Sequence, residues 1–130
     1  MRFMMLVIPK GYEKAEAGFA PPVELVARMA KFNESLTKAG VLLALDGLHP
    51  PAVSQRVVFG GGRPTVVDGP FAEAREVIGG YWMIQVKSRE EALEWARRAP
   101  MLDGDQIEVR QVQEMSDFPP EVQQAARGGS

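Results

Sequence analysis

The first 45 residues limit the possible folds of this chain, because they predict a helix with a single apolar stripe between two short apolar strands. Residues 2–8 are almost wholly apolar and do not alternate, which predicts a strand buried on both faces. Pro22 suits the first turn of a helix, because its missing N–H needs no partner there. The stripe on that helix steps by four and three residues through Leu25, Met29, Phe32, Leu36 and Ala39. Residues 41–45 predict a second strand, so the chain begins as a β-α-β unit.

The middle of the chain predicts a β-hairpin. Strand-like residues at 55–59 and 65–67 flank three glycines, which allow the positive φ that a tight hairpin turn needs. Residues 68–71 read as a further tight turn. Residues 72–78 then predict one or two helical turns, which two glycines end.

A second β-α-β unit follows. Residues 81–86 predict a strand with Trp82, Ile84 and Val86 on one face. Ser88 and Glu91 have the spacing of a capping box, which opens a helix. The residues that we expect this helix to bury are Ala92, Leu93, Ala96 and Ala99. Residues 106–112 predict the last strand.

This order of elements indicates an α+β fold. Two right-handed β-α-β halves separated by a hairpin build an antiparallel sheet with two helices on one face, the ferredoxin-like plan. The other face would carry Tyr81, Met83 and Val112, which is too apolar to leave in water, so we expect a homodimer packed sheet to sheet. We expect one domain over residues 1–115 and a C-terminal tail over 116–130, with a helical turn near its end.

Charge and composition exclude several classes of function. Seventeen acidic and fifteen basic residues give a net charge of −2, and with no basic run we expect no nucleic-acid partner. No apolar run is long enough to cross a membrane, so we expect no membrane partner. The chain has no cysteine and one histidine, so we expect no metal and no cofactor. The lack of cysteine fits a cytoplasmic protein.

One motif is specific enough to suggest a family. The chain reads VDGPFAEARE at 67–76 and IGGY at 78–81, with GLHP at 47–50 and IEVR at 107–110. Over about residues 2–113 it resembles the DGPF-motif branch of the YCII-related proteins. The resemblance implies a ferredoxin-like, dimeric α/β-barrel fold in a bacterial protein whose role is mostly unassigned. It also implies an association with sigma factors of the extracytoplasmic-function class.

The resemblance has limits at the family's proposed acid–base pair. The better-studied branch has a histidine on the first helix and an aspartate before the proline that ends the second helix. Here the first helix has no histidine, Met29 lies near the expected place, and Ala99 precedes Pro100. That pair therefore cannot be transferred to this chain.

His49 and Asp68 are the candidate catalytic residues. His49 is the only side chain of a type that ordinarily titrates near neutral pH, which suits a general acid or base. Asp68 could orient it. The alternatives are a solvated loop histidine, and an Asx-type turn in which the Asp68 carboxylate bonds the backbone of Pro70 and Phe71.

Four further residues are candidate ligand-binding groups. Glu73 and Glu76 would share a face if their segment is helical, and Arg56 and Arg110 lie on strands where a guanidinium can hold a carboxylate or phosphate. The alternatives are a solvated acidic face, and pairing of Arg110 with Glu108 or another cross-strand carboxylate.

Two functions follow from these candidates. The first is small-molecule binding in a pocket between the sheet and the hairpin, near His49, Asp68 and Glu73, with acid–base chemistry by the first two residues. The second is a non-enzymatic regulatory partner of a sigma factor, which would expose an apolar patch and have no pocket. Whether the chain is an enzyme stays open at this point.

Overall fold

The computed structural model describes residues 1–128, so the last two residues of the predicted tail lie outside the described part. The strands and helices are β1 (Arg2–Ile8), α1 (Val23–Lys38), β2 (Leu42–Gly47), β3 (Gln55–Gly60), β4 (Arg63–Asp68), β5 (Gly80–Gln85), α2 (Arg89–Arg97), β6 (Gln106–Gln111) and α3 (Pro120–Gly128). Three 3-10 turns lie at Tyr12–Lys14, Pro51–Val53 and Met115–Asp117.

Four strands form the main sheet in the order β2-β5-β1-β6, and every neighbouring pair is antiparallel. The two central strands are the first strand of each β-α-β unit, and each unit places its second strand at an edge. The ferredoxin-like α+β prediction is confirmed. One end of this sheet therefore collects the ends of β1 and β2 and the starts of β5 and β6.

Helices α1 and α2 pack on the same face of the sheet. From the sheet, Phe3, Met5 and Ile84 are fully buried. The residues that the helices add to this core are Phe32, Leu36, Ala92 and Trp95. A fully buried side chain of this size stabilises the fold by about 1.5–3 kcal/mol, so this one layer supplies most of the driving force.

Helix α2 begins at the predicted Ser88 cap, but the second bond of the capping box goes to the Lys87 N–H and not to the Ser88 N–H. The helix also turns a different residue inward. The Ser88 hydroxyl accepts a hydrogen bond from the Glu91 N–H at 3.1 Å, while the Glu91 carboxylate accepts one from the Lys87 N–H at 3.0 Å. Among the predicted inward residues, Leu93 is exposed instead. Trp95 takes the inward place, because its ring reaches Phe32 in the core.

A bulge in β2 decides which side chains meet at the end of the sheet. The register shifts between Leu42 and Ala44, so Leu45 pairs with Trp82 and Asp46 with Tyr81. Paired residues of antiparallel strands point to the same face. Leu45 therefore faces the helices, and Asp46 faces the opposite side of the sheet.

The hairpin of β3 and β4 stands apart from this sheet as a separate two-stranded sheet. Its turn is formed by Gly61 and Gly62, both with positive φ, as a two-residue hairpin loop requires. Every residue of both strands is exposed, including Phe59 at 79%.

The segment after the hairpin is irregular. Residues 71–79 contain a single turn, closed by the Ala74 N–H and the Phe71 carbonyl, and no helix. The prediction of helical turns at 72–78 is therefore wrong. Ala and Glu favour a helix locally, but the hydrogen bonds of Leu48 and Val7 with the backbone of Gly79 hold the end of this segment against the main sheet.

Gly69 fixes the base of the hairpin, and its replacement by alanine should destabilise the protein. Its N–H donates to the Ser54 carbonyl at 2.8 Å, and an added Cβ would lie 1.9 Å from the Pro51 carbonyl oxygen. Because backbone must move to relieve that clash, we expect Gly69→Ala to cost about 1–3 kcal/mol of unfolding free energy in urea titrations. Gly60→Ala, where an added Cβ meets nothing within 4 Å, is the matched control. Equal midpoints for the two variants would contradict this.

Candidate functional site

A cavity of about 480 Å³ opens at the end of the sheet where β1 and β2 stop and β5 begins. The N-terminal half of α1 forms one wall, and the loop between β1 and α1 forms another. Most of the lining is apolar and includes Phe19, Leu25, Met29, Leu45, Trp82 and Met101. Met29 belongs to the apolar stripe of α1, and it stays half-buried because it fronts this cavity.

Asp105 holds two of the cavity's loops together. Its carboxylate accepts the Lys10 N–H at 2.9 Å and the Leu102 N–H at 3.0 Å. Each oxygen thus satisfies one loop backbone donor, in the way that an aspartate caps a turn. The loops after β1 and before β6 are fixed to each other by this one side chain.

Tyr12 ties the same loop to the end of β2. Its hydroxyl donates to the Leu48 carbonyl, and its ring packs edge-on against Phe19 at 5.8 Å between centroids. Burial disfavours the phenolate and raises the pKa of Tyr12 above its ordinary value. The hydroxyl therefore stays protonated and remains a donor at neutral pH.

Tyr81 and Asp46 form a second polar contact at this end of the sheet, on the face away from the helices. The Tyr81 hydroxyl donates to the Asp46 carboxylate at 2.8 Å. This hydrogen bond favours the protonated phenol and raises the pKa of Tyr81. Both residues line the cavity, and the bulge in β2 is what makes them partners.

Asn33 is a polar lining residue that the sequence analysis did not single out. Its Oδ1 accepts a hydrogen bond from the Trp82 indole N–H at 2.7 Å. A signal was available, because Asn33 lies four residues after Met29 and three before Leu36. A polar residue at that spacing interrupts the apolar stripe of α1.

His49 lies where the main cavity meets a shallower hollow of about 380 Å³. The hollow lies at the base of the hairpin, and both spaces are lined by His49 and Leu48. The side chain of His49 is exposed. The structure thus puts the predicted acid–base residue at the edge of a cavity, at the end of β2.

Asp68 is not brought to His49 as a partner. In residues 1–128 no hydrogen bond or ion pair joins these two side chains, and Asp68 lines neither the cavity nor the hollow. The Asx-type turn is not formed either, since the Asp68 carboxylate accepts no bond from the Phe71 backbone. A catalytic role for Asp68 stays a prediction without a supporting contact.

The other predicted residues are spread over the surface. The Arg56 guanidinium stacks 3.9 Å from the Phe71 ring centroid and lines the hollow with His49. Arg110 pairs with Glu108 at 3.4 Å, which is the pairing that the sequence analysis gave as the alternative. Glu73 and Glu76 are exposed on the irregular segment, so the shared helical face proposed for them does not exist.

Within residues 1–128 no group of three or more His, Asp or Glu side chains is placed to hold a metal ion. No helix there is both long and apolar enough to cross a membrane.

The model of the YCII-related domain matches residues 1–116 of this chain. The chain belongs to the YCII-related domain family. The predicted membership of the YCII-related family is thereby confirmed. A similar curated protein is an uncharacterised protein of Rhizobium meliloti (strain 1021), 37% identical over 69 residues. That alignment covers 53% of this chain and 56% of the relative, so the chain spans little more than half of the relative's length.

The cavity lies where this YCII-related chain departs from the better-studied branch. Met29, near the place of that branch's histidine, lines the cavity wall, and Asn33 follows one helical turn later. The polar groups on this wall come from an amide and not from an imidazole. This wall therefore offers hydrogen-bonding groups and none of a type that ordinarily titrates near neutral pH.

Removing the Asp105 carboxylate should destabilise the protein, whereas removing the other carboxylate of its loop should not. Asp105→Ala leaves two loop N–H groups without their acceptor, so we expect a loss of about 0.5–2 kcal/mol in unfolding free energy. Asp103→Ala, at an exposed position of the same loop, is the matched control. Chemical denaturation followed by circular dichroism measures both. A loss of the same size in the control would contradict the role of Asp105.

Proposed function

We propose that this YCII-related protein binds a small, largely apolar molecule in the cavity at the end of the sheet. The observation that carries the proposal is a concave space of about 480 Å³ with apolar walls and a few polar groups at fixed positions. Cavities of about 300–1,000 Å³ with this mixture are typical of small-molecule sites. The Asp105 and Tyr12 hydrogen bonds support the proposal, because these contacts within the chain fix the loops that form the cavity walls.

His49 is the residue that we propose for proton transfer to or from a bound molecule. It lines both the cavity and the hollow at the hairpin base, and it is the only histidine of the chain. Asp46 lines the same cavity, three residues earlier on β2, whereas Asp68 lies outside it. The Asp46 carboxylate is bonded to Tyr81 on the sheet face away from the helices, however, so we assign His49 no carboxylate partner.

A regulatory role is the second candidate, and one observation favours it. One face of the hairpin carries Val57 and Phe59 opposite Val66 and Pro64, all exposed. This apolar surface suits a protein partner, and the likeness to the DGPF-motif branch points to a sigma factor. Partner binding that Phe59→Ser abolishes, with ligand binding unaffected, would favour this function over the first.

We also propose that the protein is a homodimer formed through the sheet face that α1 and α2 leave uncovered. The register places Met4, Leu6, Ile8, Tyr81 and Met83 on that face. At its margin the Arg2 guanidinium forms two bonds with the Glu114 carboxylate, at 2.6 and 2.9 Å. An apolar centre with a charged rim is the usual composition of a protein interface.

Leu6→Asp should convert the dimer into a monomer. A carboxylate in the centre of the interface would lose its hydration without gaining a partner. We expect light scattering after size exclusion to give twice the mass of one chain for the wild-type protein and a single-chain mass for the variant. Circular dichroism would check that the variant is folded, and Val122→Asp on α3 is the control. A wild-type monomer at micromolar concentration would contradict the proposal.

Filling the cavity should abolish ligand binding without unfolding the protein. Met29→Trp places a larger ring into the cavity, whereas Val26→Trp places the same ring on the exposed side of α1. With a panel of mono- and bicyclic aromatic fragments, saturation-transfer NMR should give hits for the wild type and for Val26→Trp. We expect affinity to fall at least tenfold in Met29→Trp, because overpacking opposes ligand entry. Equal binding by both variants, or no hit for the wild type, would contradict the proposed site.

A further inference from the structure

The hydrogen bond between Trp82 and Asn33 fixes the direction of an amide at the cavity wall. An indole N–H can only donate, so the Asn33 atom that meets it at 2.7 Å must be the oxygen Oδ1. Trp82 is 5% exposed and its ring packs edge-on against Phe32 at 5.1 Å, so the indole has no freedom to turn away. The amide nitrogen Nδ2 must therefore point away from Trp82.

That nitrogen has no acceptor within the described residues 1–128. The Asn33 side chain makes the bond to Trp82, and its backbone carbonyl accepts from the Thr37 hydroxyl. Neither contact uses the two N–H donors of Nδ2. An amide side chain forms up to four hydrogen bonds, and the two that Nδ2 would donate are unused beside the cavity.

The surroundings of this donor are apolar. Met29 lies one helical turn before Asn33 on the same side of α1, and Leu25 one turn before that. On the sheet side the wall is formed by Leu45 and Trp82. A donor with a fixed direction in such a wall selects a ligand by the position of one acceptor atom.

We propose that the Nδ2 group of Asn33 donates a hydrogen bond to a carbonyl oxygen of the bound molecule, with Trp82 as its positioning residue. The bound molecule then has an apolar part, aromatic or aliphatic, and a carbonyl oxygen that accepts the hydrogen bond. This inference rests on the proposed function, since it names the chemistry recognised in the same cavity.

Three probes of nearly equal shape test the assignment: acetophenone with a carbonyl acceptor, cumene with none, and 1-phenylethylamine with a cationic donor. Dissociation constants come from ligand-detected NMR titrations. For the wild type we expect acetophenone to bind about three- to tenfold more tightly than cumene, the usual effect of one hydrogen bond. Equal affinities would overturn the proposal without needing any variant.

Two substitutions of Asn33 sharpen the test. Asn33→Leu keeps the size and removes the donor, so the preference of acetophenone over cumene should disappear. Asn33→Asp keeps an oxygen for the Trp82 N–H and replaces the donor with a carboxylate oxygen. The ratio of amine to ketone affinity should then rise by about tenfold or more. An unchanged ratio in Asn33→Asp would overturn the role of Asn33.

Trp82→Phe tests the positioning role. It keeps an aromatic ring against Phe32 and removes the N–H that orients the amide, so Asn33 can present either its oxygen or its nitrogen. We expect the preference of acetophenone over cumene to fall, while cumene affinity stays within about twofold of the wild type. A fall in the affinity of both probes by the same factor would mean a purely structural role for Trp82.

The two proposals fail in different ways. If none of the three probes and no fragment binds the wild type, the proposed function falls and this inference falls with it. If fragments bind and compete for the cavity but the acetophenone preference is absent, the cavity binds ligands and only the assignment of Asn33 is wrong.

Discussion

The packing of Phe32 between Trp82 and Trp95 is the contact on which the rest of this structure depends. Its ring lies edge-on to both indoles, at 5.1 and 6.3 Å between centroids. The Phe32 ring thus packs α1 against both the central strand β5 and the helix α2. Aromatic pairs in this geometry contribute about 0.5–1.5 kcal/mol each beyond the area that they bury, so the position of α1 on the sheet is strongly determined.

That position of α1 creates the cavity. Phe32 and Leu36 are buried against the sheet, whereas Met29 lines the cavity at the end of the sheet and is only half-buried. The space beneath is closed by loops, and Asp105 satisfies the backbone donors of two of them. The same Trp82 that packs on Phe32 holds the Asn33 amide, so the core and the candidate site share one side chain.

Local pattern predicted most of the elements and few of the site's contacts. The stripe of α1, the alternation of β5 and the Ser88 cap are short-range signals, and all three are present in the structure. The stripe ends at Leu36, because Ala39 follows the end of α1 and is exposed. The helical turns predicted at 72–78 do not form: the segment closes one turn, from the Ala74 N–H to the Phe71 carbonyl, and Gly79 at its end is bonded to Val7 and Leu48. Local propensity alone does not keep so short a segment helical. The pairing of His49 with Asp68 stays a prediction without a supporting contact. Asp68 ends a strand of the separate two-stranded sheet, and the spacing of residues along the chain does not determine how that sheet is placed.

The α+β order, the family and the position of His49 at the end of a strand follow from local sequence, since each depends on neighbours within a few residues. Which polar groups meet at the end of the sheet depends instead on how the whole chain packs. The bulge at Leu43 turned Asp46 towards Tyr81, and the crossing of α1 over β5 brought Asn33 to Trp82. Contacts between residues 35 and 49 positions apart depend on strand register and helix placement, and both are set by how the whole core packs.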